Sequence, residues 1–546
     1  MKNKRDTYSS YDENKIKRKT KFDSPVDYHG SPLTVNYKTK TNNNKIKRKT
    51  KFDSPTVDYK GPADMAPKYS GMKWVLVHTG NDIAYGLVYV AGDLLQRKHD
   101  ILWIDGEDDV NKNAKKIKEF SPDYVCFGPL SSEFLQALKL AKQIKKEQPE
   151  VKTIFGGHHV KAIPEELENE KDLDYLVWGP VYGSVDKIIE SPSKTLIKGL
   201  PTKPANMYPA LKEYYEQIPR MGNRERKYIM SHFGCVYNCS FCCTDVTRKA
   251  FGAKVYKEFW LERRPIENMM EEAKLLLEFD TKEVSFEDDD VLYGTHEGGG
   301  GTEWLEEFSK QWKKEIDLPM YANVTPMTVV RSTDKSLKIL AGLVDTVQMG
   351  VQTTGGDSSK LFNRHFQDEE QVTKAVQVLT SYGVKVKLEV IIGLPNIDDL
   401  VPCPITDAIK TVQMCQRITQ AVPKNMTWTS CFPLMLYPGT QLWKKSMEAG
   451  IPLNDACEFE WHSGEGSVKF DPLTQKRIKN MTKMTTMFIK YNMSERWMRA
   501  LIDMDLNEES SKQFSECQYL ESLIFRLGEE VEEEFDEILE GMNFKY

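Results

Sequence analysis

Residues 234–243 read GCVYNCSFCC, four cysteines in a ten-residue stretch of a 546-residue chain that holds ten in all. The other six, Cys126, Cys403, Cys415, Cys431, Cys457 and Cys517, are scattered, unlike the framework of a disulfide-rich secreted protein. Cys235, Cys239 and Cys242 form a C-x-x-x-C-x-x-C pattern, with Cys243 directly behind. A structural zinc site closes with four ligands, commonly two C-x-x-C or Cys/His pairs. Here the second pair is absent, and only His232 or Cys243 is at hand to complete such a set. A redox C-x-x-C would employ Cys239 and Cys242 and leave Cys235 unexplained. Three thiolates on one short loop suit a cubane iron–sulfur cluster whose remaining iron is open to another ligand. Spacing favours the cluster and leaves the zinc and redox alternatives standing.

Upstream of the cysteines, short apolar runs alternate with helical stretches. KWVLVHTG (73–80), DILWIDGED (100–108), YVCFGPLSS (124–132), KTIFGGHH (152–159) and DYLVWGP (174–180) read as five buried strands, with amphipathic segments between them. That alternation predicts a doubly wound parallel sheet, which binds ligands at the carboxyl ends of its strands. Those ends carry HTGND, GPLSS, GGHH and WGP, small residues that let a large ligand approach the backbone. GLPTKPANMYPALKEYY (199–215) reads as a linker.

A second alternating unit opens at KYIMSHFGC (227–235), which runs straight into the cysteines. Its further strands are expected in KEVSFEDDDVLYG (282–294), PMYANVTP (319–326), DTVQMGVQTTGG (345–356), VKVKLEVIIGLP (384–395) and MTWTSCFPLMLYPGT (426–440). Six such units predict a partial (β/α)6 barrel with its chemistry at the strand C-termini. The fold class expected is therefore α/β, a doubly wound sheet followed by a partial barrel and a mostly helical C-terminal region. The boundaries fall at 1–70 for a basic tail, 71–200 and 201–445 for the two α/β units, and 446–546 for the helical end.

Within the tail, NKIKRKTKFDSP occurs at 14–25 and again at 44–55, and the surrounding Lys, Asn, Ser and Thr offer no core to offset the entropy of ordering. Two short copies are too few for a solenoid. A net charge of −6 with 40% hydrophobic residues fits a globular chain with no general attraction to nucleic acid, so such a partner is expected only through the basic tail. Without an apolar leader at residue 1 or a run of 18 apolar residues, a cytoplasmic protein with no membrane span is expected.

The cysteine pattern, with Phe241 just before its last member, resembles the radical S-adenosylmethionine (SAM) superfamily. The resemblance implies a 4Fe-4S cluster on Cys235, Cys239 and Cys242, with SAM chelating the fourth iron. VSFEDDDVLYG is similar to the family's second-strand segment, which would place Asp288 and Asp289 near the SAM amino group. GVQTTGGDSSKLFNRH resembles the fourth-strand segment, with Gln352 and Thr353 where a Glu-Ser pair is common. VIIGLP and FPLMLYPGTQLW resemble the fifth and sixth, although GLPNID replaces the common GLPGET.

The preceding sheet resembles a cobalamin-binding domain, most clearly in FGGHHVKAIPEE (155–166). Free-standing domains of that kind carry D-x-H-x-x-G after the first strand. Here Asp82 is followed by Ala84 and Leu87 at the His and Gly places, which implies cobalamin without a protein histidine on cobalt. By this resemblance Gly80, Asn81, Asp82, Ser131, Gly156, Gly157, His158 and Gly179 are candidate cobalamin contacts, and Phe241, Asp288, Asp289 and Gln352 candidate SAM contacts. His158 and His159 are expected near the nucleotide tail and not as cobalt ligands. The pair of resemblances implies a cobalamin-dependent radical SAM enzyme, foremost a methyltransferase acting on an unactivated carbon of a small molecule or peptide. It would draw electrons from a donor such as flavodoxin or ferredoxin. Radical rearrangement, cyclisation or oxidation without methyl transfer, or a non-catalytic cobalamin- or metal-binding regulator, are the alternatives. A methylthiotransferase needs a further N-terminal cysteine trio, and only Cys126 precedes Cys235.

Overall fold

Each β-branched run pairs with its neighbours in parallel, as alternation with helices dictates. The computed structural model describes residues 68–525, apart from 180–183, 200–202, 204–206, 366, 456, 458–464, 508–509, 516–517, 519–521 and 523–524. The basic tail with its duplicated motif, Cys517 and the acidic C-terminal end lie outside the described residues.

The first sheet contains β1 (Lys73–His78), β2 (Asp100–Asp105), β3 (Tyr124–Phe127), β4 (Lys152–Phe155), β5 (Tyr175–Trp178) and β6 (Thr195–Lys198) in the order β2-β1-β3-β4-β5-β6. All its pairings are parallel. Five strands were expected; β6 is the sixth, a four-residue edge strand that pairs only with β5 and needs no continuous apolar run. Along β1, Val75 and Val77 join one apolar layer while Trp74 and Leu76 join the other, so both faces of the sheet are covered.

The second sheet runs β7 (Arg226–Ile229), β8 (Glu283–Phe286), β9 (Met320–Val324), β10 (Val344–Gln352), β11 (Lys385–Ile392) and β12 (Thr427–Pro433), in chain order and parallel throughout. β7 and β12 are its two edges, so the barrel is open. Along β11, Val386, Leu388, Val390 and Ile392 are buried against the outer helices, while Lys385, Lys387 and Glu389 alternate with them. Lys387 reaches Gln348 on β10 at 3.1 Å and Glu389 at 3.4 Å, and Gln348 also accepts from Tyr321 of β9 at 2.8 Å, which gives the barrel a polar lumen.

The end of the stretch expected as a linker is built into the core. Its helix Leu211–Gln217 buries Leu211, Tyr214 and Tyr215 in the apolar layer shared by the two sheets. Tyr214 Oη pairs with His78 Nδ1 at the end of β1, 3.2 Å away. Gly92 allows this closeness, because a Cβ there would meet the Tyr208 carbonyl oxygen at 1.7 Å.

Candidate functional site

The cysteine loop leaves β7 and is held from three directions before the helix Cys243–Phe251 begins. The Cys235 amide donates to Tyr256 Oη (2.9 Å), the Ser240 amide to the Phe362 carbonyl (3.0 Å), and Ser240 Oγ to the Leu361 carbonyl (2.6 Å). Asn363 Nδ2 donates to the Asn238 carbonyl at 3.0 Å. Gly234 is required, since a Cβ there would meet Tyr256 Oη at 2.3 Å. Phe241 packs on Phe362 with ring centroids 4.7 Å apart, so its ring anchors the loop on the segment after β10.

Each patterned sulfur accepts an N–H. Tyr237 N points at Cys235 Sγ (3.5 Å), Thr244 N at Cys242 Sγ (3.5 Å), and Arg364 Nη1 at Cys239 Sγ (3.3 Å). Burial pushes the Cys242 thiol up to about 12 and Cys235 well above its ordinary value. An N–H aimed at each sulfur is a contact that also suits a thiolate bound to iron. Among the described residues no three His, Cys, Asp or Glu side chains converge on a single ion. Cys243 stands apart as the first residue of the helix, with its thiol raised by burial and partly relieved by the nearby Lys161 charge.

After β8 come three aspartates with three environments. Asp288 is fully buried and accepts from the Ser231 amide (2.6 Å), the His232 amide (3.2 Å), Ser231 Oγ, His232 Nδ1 (2.8 Å) and Arg263 Nη1 (3.4 Å). It is occupied in fixing the entry to the cysteine loop and does not face outward. Asp290 is buried too, accepting from Thr325 Oγ1 and Thr328 Oγ1 at 2.9 and 2.6 Å. Asp289 alone of the three exposes surface, although it is surrounded by protein, so that surface lies in a cleft. Burial pushes it up to about 6. His232 Nε2 is buried beside this cleft with no hydrogen-bond partner among the described residues.

The first sheet contributes the segment after β4, which packs on the helix that follows the cysteine loop. His158 exposes surface while lying deep in the protein, and the Lys161 charge, together with burial, pushes its imidazole down to about 3. Burial lowers Lys161, opposed by the charges of Cys243, Cys242 and Asp289, so its ammonium is within electrostatic reach of all three. The backbone here is clamped: Trp178 Nε1 donates to the Lys161 carbonyl at 3.0 Å, and a Cβ at Gly439 would meet the Ala162 carbonyl at 2.6 Å.

The remaining candidates are placed less centrally. Asn81 and Asp82 are exposed in the loop after β1. Gly80 donates to Glu107 (3.0 Å), and the space its Cβ would take is filled by the Glu133 carboxylate. The Cβ space of Gly157 is filled by the backbone of Gly128 and Pro129, and that of Gly179 by the Phe251 ring. The buried Gly156 bonds Phe127. At Gly80, Gly157 and Gly179 the Cβ direction is thus taken by the chain's own packing, while Gly157 still exposes surface. Ser131 Oγ pairs with the buried His159 Nδ1 at 3.1 Å, and Cys457 lies 4.0 Å from that ring. Gln352 sits at a bulge of β10 with φ +70°, its amide folded over Gly350.

Sequence reasoning passed over Lys161, Ser231 and Arg364, although each lies inside a stretch already singled out, and weighed His232 only as a ligand that could complete a zinc site. A charged residue within such a stretch was the available signal.

Comparison with known proteins agrees with this two-sheet fold. The family model "B12 binding domain" matches residues 73–187, and "Radical SAM superfamily" matches 229–401. An uncharacterized methyltransferase of Pyrococcus horikoshii is 25% identical over 423 residues, covering 71% of this chain and 83% of that protein. The structure of the radical SAM methyltransferase TsrM from Kitasatospora setae, with cobalamin and a [4Fe-4S] cluster bound, superposes with TM-score 0.57 at 14% identity over 86% of this chain and 99% of that one. The cobalamin-dependent SAM radical enzyme OxsB superposes with TM-score 0.56 at 13% identity over 83% and 72%. With a B12-binding sheet preceding a radical SAM barrel, the chain is a radical SAM superfamily enzyme with a cobalamin-binding domain, and its cofactors are a 4Fe-4S cluster, SAM and cobalamin.

Proposed function

We propose that this enzyme transfers a methyl group to an unactivated carbon of a small-molecule or peptide substrate by a radical route. The observation that carries the reading is that the segment after β4, which carries His158 and Lys161, packs on the helix that follows the cysteine loop, with Cys242, Cys243 and Asp289 within electrostatic reach of Lys161. When bound, the three cofactors supply one-electron cleavage of SAM to a carbon radical and a transferable methyl group. Cys235, Cys239 and Cys242 would hold the cluster through three irons and leave the fourth for SAM. Asp289 offers a carboxylate to a cationic group of SAM, and Lys161 offers a cation to an anionic one. Asp288 and His232 hold the loop entry in place beneath them. The aromatic pair Trp178 and Phe251, stacked at 4.9 Å, joins the end of β5 to the helix that follows the cysteine loop. An external flavodoxin or ferredoxin is the proposed electron source.

The test is anaerobic reconstitution of the full chain with iron, sulfide and hydroxocobalamin, followed by SAM and dithionite. Release of both 5'-deoxyadenosine and S-adenosylhomocysteine, with a methyl mass gain on a component of cell extract, is expected. Deoxyadenosine without S-adenosylhomocysteine would replace methyl transfer by rearrangement or oxidation. Neither product would replace the enzyme reading by a cobalamin-binding regulator.

A further inference from the structure

Arg364 is a buried cation placed against one cysteine of the loop. It belongs to the connection between the helices Asp357–Leu361 and Glu369–Ser381, exposes 4% of its surface, and is fixed at both ends. Its amide donates to the Ser359 carbonyl at 2.7 Å. Its Nη2 donates to the Gly350 carbonyl at 2.8 Å and to Gln367 Oε1 at 2.5 Å, while Gln367 Nε2 is itself tied to the Val351 carbonyl at 2.7 Å. The planar fork leaves Nη1 aimed at Cys239 Sγ, 3.3 Å away, and Cys239 is buried as well. The neighbouring residues Leu361, Phe362 and Asn363 grip the loop on either side of Cys239, so this distance is set by backbone docking and not by a mobile side chain.

We infer that Arg364 tunes the reduction potential of the cluster by donating a charge-assisted hydrogen bond to the Cys239 sulfur. Reduction adds one electron and one negative charge to the cluster, and a fixed N–H with a positive charge beside a ligating sulfur favours the more negative state. In a buried setting the stabilisation is larger than at a surface, because little water screens it. Lysine would keep the charge but lose the fork that aims it, and glutamine would lose the charge. The inference rests on the proposed cluster on Cys235, Cys239 and Cys242.

The experiment is an anaerobic redox titration of the reconstituted full chain, followed by electron paramagnetic resonance of the reduced cluster, for the wild type, Arg364→Gln, Arg364→Lys and Asn363→Ala. Arg364→Gln is expected to lower the reduced-to-oxidised ratio about tenfold at a given potential, which for a one-electron couple is about 59 mV. Arg364→Lys should fall between it and the wild type. Asn363→Ala, which removes one grip on the loop without touching charge, should move the midpoint less than Arg364→Gln does. A wild-type chain that binds no iron and sulfide would sink the cysteine assignment itself. Intact clusters with equal midpoints in all four proteins would overturn the role of Arg364 alone. Loss of the cluster in both Arg364 variants would overturn it too, by making the residue a structural clamp.

Discussion

His232 Nδ1 lies 2.8 Å from Asp288 Oδ2, and both side chains are closed to solvent. The pair ties the end of β8 to the residues that lead into the cysteine loop. Its hydrogen-bond partners and positive neighbours hold the Asp288 carboxyl below its ordinary range, against the burial that would raise it.

Asp288→Asn should therefore lower the stability of the fold by about 2–3 kcal/mol, the range for hydrogen bonds to a buried charged group. Because the folded carboxyl is the stronger acid, the wild-type advantage is fully present above the unfolded value of ~3.9 and is lost as pH falls through the lower folded one. Thermal melts of both apoproteins should show a constant gap from pH 7 to pH 5 and a closing gap below pH ~4; a gap that grows in acid would contradict this.

Asp289 has the opposite sign. Burial raises it to about 6, so its ionisation costs folding free energy that accumulates between the unfolded value of ~3.9 and the folded one. Asp289→Asn should melt higher than the wild type at pH 7 and level with it at pH 4, while SAM binding to the reconstituted protein weakens. Equal melting temperatures at both pH values would show that the carboxylate is not desolvated.

Replacing Cys239 by Ser should abolish the cluster, and replacing Cys243 by Ser should leave it. Iron and sulfide determinations with the visible charge-transfer absorbance of the anaerobic protein decide between them, and equal losses would undo the assignment of Cys243 as the outsider.

Gly439 has φ +80° and faces the Ala162 carbonyl, so Gly439→Ala adds both backbone strain and a clash. A cost of about 1–3 kcal/mol is expected. Hydroxocobalamin binding to the purified variant, followed by its visible spectrum, should weaken with the melting temperature. Retention of both would mean that the contact yields freely.

Eleven of the twelve strands were legible because a buried parallel strand must be a short apolar run between helices, whatever packs on it. The exception, β6, is an edge, where pairing and not burial makes the strand. The cysteines were legible for a similar reason, since their spacing is local. What sequence could not tell was direction. Asp288 and Asp289 are neighbours with the same chemistry, and only the fold turns one toward Ser231 and His232 and the other toward the cleft. The glycines after β1, β4 and β5 likewise looked open, because the Glu133 carboxylate, the backbone of Gly128 and Pro129, and the Phe251 ring that fill their spaces come from elsewhere in the chain. Arg364 is 125 residues from the sulfur it serves.

The helix Leu211–Gln217 carries a consequence for inheritance. Tyr214 and Tyr215 are all but sealed in the layer that also takes Trp103 from the first sheet and Ile229 from the second. A chain cut after residue 200 would leave the apolar side of the first sheet bare, and one begun at residue 226 would do the same to the barrel. Recombination that parted the two halves would have to cover the surface that the tyrosine wedge now fills.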